Sequence, residues 1–195
     1  MRAPQPNQSL IARAKTRRPD AFNALVDECY PLVYSTAYRL LGSQEACDAT
    51  QEAFVRAFHA ITSFREDSSF STWLYRIVTN VCLDRLRRQQ REPLGLELLT
   101  EDGEFGPVRE VPDDAPDPAE QAARSERQQV VQECLQGLTD DHRAVIVLYD
   151  INGFSYEEIA EMLDLPLGTV KSRLSRARMA LKQRMERHLE LFEPL

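Results

Sequence analysis

The sequence predicts an all-α protein: two small helical domains joined by a flexible acidic linker. Three observations carry that prediction. Apolar residues recur at spacings of three and four over most of the 195 residues, the period of a helix with one buried face. No run of alternating apolar and polar residues is long enough for a strand. Charge also falls in blocks. Residues 1–92 hold 13 basic and 10 acidic side chains, and residues 93–125 hold 2 and 9. Residues 126–165 again hold 2 and 9, whereas residues 166–187 hold 7 and 1. The net charge of −7 therefore hides a local basic stripe, and acidity alone does not exclude a polyanionic partner.

The elements follow in order. From Asp20 to Leu41, Phe22, Leu25, Val26, Cys29, Val33, Ala37, Leu40 and Leu41 share one helix face. Pro31 predicts a kink within it, and Gly42 is placed to end it. A second helix is expected from about Gln44 to Ile61, with Ala46, Ala53, Phe54, Ala57, Phe58 and Ile61 turned inward. A third begins near Ser71, a residue suited to an N-cap, and runs to the basic stretch "RLRRQQR", where cations complement the helix dipole. Residues 93–125 carry five prolines and three glycines with their acidic excess. Such a composition buries too little to order itself and reads as a linker. Residues 1–92 and 126–195 are then the two domains.

Beyond the linker, a helix is expected from Ser125 to Leu138. Thr139 is placed to cap another over His142–Tyr149, with Asp140 and Asp141 in its first turn. Asn152-Gly153 is a turn signal. Ser155 to Leu163 reads as a short helix with Ile159, Ala160 and Leu163 inward. Asp164 stands in the next turn, where it tolerates a left-handed backbone. Pro166 suits the first turn of a following helix. The two helices form a helix-turn-helix pattern.

The second of them changes character. At about 100° per residue, Val170, Leu174, Ala177 and Leu181 fall together and pack inward. Ser172, Ser175, Arg176 and Met179 face away, flanked by Lys171, Arg178 and Lys182 on one edge and Arg173 on the other. Short hydroxyls let a backbone approach, and long cations reach phosphates and guanine edges. Gly168 and Thr169 lie at the N-terminal end, where recognition helices touch the duplex. Thr169, Lys171, Ser172, Arg173, Ser175, Arg176 and Arg178 are thus the candidates for duplex contact.

Several classes find no support. Apolar runs are too short to span a membrane, and the N-terminus lacks the apolar core of a secretory signal. Cys29, Cys47, Cys82 and Cys134 are too widely spaced for a zinc or redox motif. They read as buried apolar residues in a reducing, cytoplasmic setting. No nucleophile elbow, zinc-protease motif or phosphate loop is present, so neither catalysis, metal nor cofactor is expected.

The residues now carry a family likeness. "GFSYEEIAEMLDLPLGTVKSRLSRARMAL" resembles the fourth region of bacterial sigma factors, and "DATQEAFVRAFHAITSFREDSSFSTWLYRIVTNVCLDRLRR" resembles the second. Two such motifs with only an acidic linker between them resemble the extracytoplasmic-function class. The resemblance implies that Asp48, Gln51 and Glu52, with Phe54 and Arg56 beside them, meet the clamp helices of the largest subunit of core RNA polymerase, and that the fourth region meets its flap. Asp48, Gln51, Glu52 and Val55 share one helix face, as a concerted contact requires. It implies that Phe64 belongs to a loop that receives a base flipped from the minus-ten element. Arg76 lies beside that loop, and Asn80 reads the promoter. Aromatic and cationic side chains clustered in "SFREDSSFSTWLYR" suit unstacked bases, although Phe70 and Trp73 suit a core equally. The family further implies promoter DNA as ligand and an anti-sigma partner. It implies a linker that enters the polymerase cleft. A free-standing helix-turn-helix regulator is the first alternative, distinguished by tight DNA binding without polymerase. A metal-dependent enzyme acting on nucleic acid is the second, distinguished by sensitivity to chelators. Asp164, where a turn glycine is usual, and the unmatched N-terminal leader are departures from the family.

Overall fold

The computed structural model of the chain describes residues 6–65, 67–91 and 118–191. All regular elements among them are helical: α1 (Gln8–Lys15), α2 (Pro19–Leu41), α3 (Ser43–Ala60), α4 (Phe70–Arg91), α5 (Pro118–Gln136), α6 (Asp140–Ile146), α7 (Tyr156–Leu163) and α8 (Leu167–Met185). A wide π-helical turn, Val147–Ile151, prolongs α6, and a 3-10 segment, Glu186–Leu191, follows α8. The protein is all-α. The expected linker lies outside the described residues except at its end, because α5 begins at Pro118 rather than Ser125.

α1 to α4 form the first unit. α1 was not anticipated. Asn7 starts it by accepting the Ser9 N–H at 2.9 Å, and it buries Ile11 and Ala14 on α2. α2 passes through Pro31 without ending and stops at Gly42. The φ of +88° there is open to glycine and costly to other residues. The Gly42 N–H closes the last turn on the Tyr38 carbonyl at 2.8 Å, and α3 starts at once. α4 is capped two residues earlier than expected. Ser69, not Ser71, accepts the Thr72 N–H at 3.0 Å, and Ser71 is buried. Leu25, Val33, Leu40, Ala53, Leu74, Val78 and Val81 fill the centre of this unit. Each large aliphatic side chain buried there contributes about 1.5–3 kcal/mol.

α5 to α8 form the second unit. Thr139 caps α6 through the His142 N–H as expected. The π turn was not legible in the sequence, and it carries Tyr149 and Asp150. Cys29, Cys82 and Cys134 are buried as expected, but Cys47 is exposed.

The two units share one core. The last carbonyls of α2 lack intrahelical partners, as at every helix end, and α5 and α6 supply them. Gln136 Nε2 donates to the Arg39 carbonyl at 3.2 Å, and Gln132 Nε2 adds a second bond at 2.7 Å to the Tyr38 carbonyl that already accepts from Gly42. Arg143, 5% exposed, donates to the Leu40 carbonyl and to those of Leu135, Gln136 and Leu138. Burial pulls its guanidinium below the ordinary value, opposed by the nearby charge of Asp140. The Asn152-Gly153 turn docks on the first unit as well. Phe154 meets Tyr75 edge-to-face at 4.6 Å, and Asn152 Nδ2 reaches the buried Thr36 hydroxyl at 3.5 Å.

Candidate nucleic-acid interface

The interface begins with local chemistry at α7. Ser155 Oγ accepts the Glu158 N–H at 3.2 Å, and the Glu158 carboxylate accepts the Ser155 N–H at 2.9 Å. This reciprocal cap satisfies two helix-end donors. α7 then stops where Asp164 takes φ 52°, ψ 53°, the left-handed conformation its sequence position demanded. Pro166 is the residue before α8 rather than inside its first turn, and its carbonyl accepts from Thr169 and Val170.

α8 divides as its periodicity predicts. Val170, Leu174 and Ala177 are buried, and Leu181 is half-buried. On α7, Ile159 is buried, Ala160 and Leu163 are half-buried, and Met162, which the spacing argument passed over, is buried. Lys171, Ser172, Ser175, Arg176 and Arg178 are exposed, and Met179 is 58% exposed. Thr169 is half-buried at the first turn. The cations are not alike in their partners. Arg176 folds back on the Ser172 carbonyl at 3.2 Å. Arg173, half-buried, pairs with Asp141 at 3.0 Å. Arg178 pairs with Asp150.

On the first unit, Asp48, Gln51 and Val55 are exposed along one face of α3, with Val55 57% exposed. Glu52 and Arg56 flank that face half-buried and are tied into α4. Arg56 Nη2 donates to Glu52 at 2.6 Å, and Arg85 donates to the other Glu52 oxygen at 2.9 Å. Partial burial alone would raise the Glu52 carboxyl, but the bond from Arg85 and the charge of Arg56 outweigh it, so its pKa is lowered. Arg85, in the basic end of α4, directs its bonds to Glu52 and Glu45. Phe54 corrects another expectation. Its ring is buried and stacks on Tyr30 at 6.4 Å, so it supports the face from behind.

The residues that the resemblance linked to the minus-ten element separate in the same way. Arg76 and Asn80 are exposed one turn apart on α4. Arg76 is drawn to Glu161 of α7 at 3.5 Å. Phe64 is a correction: only 6% exposed, it packs on Phe70 at 5.7 Å and on Trp73 at 5.2 Å, under the Lys15 ammonium. With Ile61, also buried, the ring anchors the short segment between α3 and α4. Sequence reasoning passed over Tyr149, Asp150 and Tyr156, which hold the cationic edge of α8. Their only linear signal is a pair of tyrosines flanking a turn.

Two helical units, one with a polar helix face and the other with a cationic helix set after a tight turn, define a class of DNA-directed transcription protein. Known proteins agree. Residues 25–92 match the Sigma-70 region 2 model and residues 128–181 the Sigma-70 region 4 model. The chain is 35% identical over 180 residues to the ECF RNA polymerase sigma-E factor of Haemophilus influenzae, covering 92% of this chain and 95% of that protein. It is 38% identical over 182 residues to the ECF RNA polymerase sigma factor SigW of Bacillus subtilis, covering 90% and 94%. The solved structure of CnrH in complex with the cytosolic domain of CnrY is similar at TM-score 0.63 and 28% identity, covering 91% of this chain and 96% of that one. That of the sigma factor RpoE with the anti-sigma factor NepR from Bartonella quintana shares the fold at TM-score 0.62 and 24% identity, covering 85% and 96%. The chain belongs to the sigma-70 family, in its extracytoplasmic-function class.

Proposed function

We infer that the protein binds core RNA polymerase and directs it to promoters as an alternative, stress-responsive sigma factor. In this reading it has no catalytic activity of its own and works in the cytoplasm. No helix among the described residues is long and apolar enough to cross a membrane. Asp48, Gln51 and Val55 form the polymerase-facing surface, with Glu52 and Arg56 locked beside them by Arg85. α8 lies in the major groove of the minus-thirty-five element, with Lys171, Ser172, Ser175 and Arg176 toward the duplex and Thr169 at its leading end. Arg76 and Asn80 serve the minus-ten element. Arg76 does so by exchanging Glu161 for a phosphate, and the Asn80 amide offers both a donor and an acceptor to a base. An anti-sigma protein restrains the factor, as the solved relative RpoE with NepR was captured.

The observation that carries this reading is the face of α8: hydroxyls and cations exposed along one side, and Val170, Leu174 and Ala177 buried along the other. The test is reconstituted holoenzyme on a promoter duplex selected from a random library. Arg176→Ala and Lys171→Ala each weaken binding by about 1–3 kcal/mol. If both variants bind and initiate as the parent does, α8 is not the reading helix.

A further inference from the structure

Five side chains from three elements form a column along one edge of α8. The Lys171 ammonium sits 5.6 Å from the centre of the Tyr156 ring. Tyr156 stacks on Tyr149 at 4.7 Å with the planes 19° apart. The Arg178 guanidinium lies 5.0 Å from the Tyr149 ring centre. Asp150 closes the column. It takes Arg178 Nε on one carboxylate oxygen at 3.1 Å and Nη2 on the other at 2.5 Å.

The geometry of the last pair separates Arg178 from the other cations of the helix. A two-pronged carboxylate–guanidinium contact fixes both distance and orientation. The ring beneath adds attraction for the cation. The Asp150 side chain is 33% exposed and that of Arg178 48%, so the pair is only partly shielded by water. Backbone geometry also contributes. The π turn presents Tyr149 and Asp150 as neighbours, one ring under the guanidinium and one carboxylate beside it. Among the described residues, Arg176, two residues earlier, bonds only within its own helix.

We propose that Asp150 is a specificity-determining positioning residue for duplex recognition. It takes up the charge of Arg178 and, through the Tyr149–Tyr156 stack, fixes the cationic edge of α8. The proposal rests on the reading of α8 as the recognition helix. Every phosphate that a free cation neutralises adds binding that is blind to sequence. Holding Arg178 in an internal pair removes one such cation, and a larger share of the affinity then comes from groups that touch base edges.

The experiment uses full-length protein in holoenzyme, with two probes: a duplex selected from a random library by the parent holoenzyme, and a scrambled duplex of equal length. Affinity is measured against salt concentration. A cation that contacts a phosphate contributes about 0.9 to the slope of log affinity against log salt. Lys171→Ala is expected to lower the slope by about that amount and Arg178→Ala by less than half of it. Asp150→Asn is expected to steepen the slope on both duplexes by about 0.9 and to narrow the preference for the selected one. Asp150→Glu, which keeps the anion, retains the parental slope. The double variant Asp150→Asn/Arg178→Ala loses the steepening. A full phosphate's worth of slope lost in Arg178→Ala overturns the proposal, and that arm does not depend on any Asp150 variant folding. An unchanged slope in Asp150→Asn, or a steepening that survives removal of Arg178, overturns it too. If Lys171→Ala and Arg176→Ala leave duplex binding untouched, the reading of α8 fails, and the proposal fails with it.

Discussion

Glu52 shows how one side chain can serve two ends. It sits at the margin of the α3 face and receives Arg56 from its own helix and Arg85 from α4. Its carboxyl is held below the usual value of 4.5. A depressed folded-state pKa adds stability above the unfolded value, and that stability is lost as pH falls through the folded value. Glu52→Gln should therefore be less stable than the parent at neutral pH, and the difference should narrow as pH falls below 4.5 and on through the lowered folded value. Urea titrations at pH 7 and pH 3.5 read this directly. A difference that persists undiminished at the lower pH would mean that the pair carries no linked charge. The same contacts separate Arg85 from its sequence reading. A cation in a basic helix end reads as a partner of the helix dipole until α3 is seen to present two carboxylates to it.

The helix-turn-helix depends on a backbone conformation that most residues resist. Asp164 is one of two non-glycine residues with positive φ among the described residues, and it sets the crossing of α7 and α8. Left-handed backbone costs about 1–2 kcal/mol for an ordinary residue and little for glycine. Glycine in turn gives back roughly 0.4–1 kcal/mol through the freedom of the unfolded chain. Asp164→Gly should thus lie within about 0.5 kcal/mol of the parent, whereas Asp164→Val should lose about 1–2 kcal/mol. Denaturant midpoints with unchanged slopes would show it. If valine were tolerated as well as glycine, the turn would owe nothing to the left-handed residue. The short helix read from Ser155 onward is closed at its start by the reciprocal bonds of Ser155 and Glu158, which the sequence reading did not single out.

The two units meet across a shared core, so folding links them. Phe154 and Tyr75 make one such contact, and Arg143 bridging α5, α6 and α2 makes another. Trp73, the sole tryptophan, lies on α4 and reports the first unit alone. In the parent, tryptophan fluorescence and far-ultraviolet dichroism should follow one unfolding transition. Phe154→Ala removes a buried ring whose loss from a core costs about 3–5 kcal/mol. Its two signals should separate, with dichroism falling first as the second unit melts. Coincident curves in the variant would show that the units stay coupled without this ring.

Helical class, the two-unit order, the inward face of α8 and the turn at Asp164 were determined by the sequence alone. They rest on periodicity, capping and backbone preference, which act within a few residues and leave a linear trace. α1 and the early start of α5 were missed because both stretches are short of apolar signal. Tertiary structure alone decided that Phe64 and Phe54 are spent on packing, that Arg85 answers Glu52, and that Asp150 claims Arg178. The partners of Phe54, Arg85 and Arg178 are distant in the chain, and those of Phe64 lie on the next helix, so charge and apolar surface are matched only once the helices are brought together.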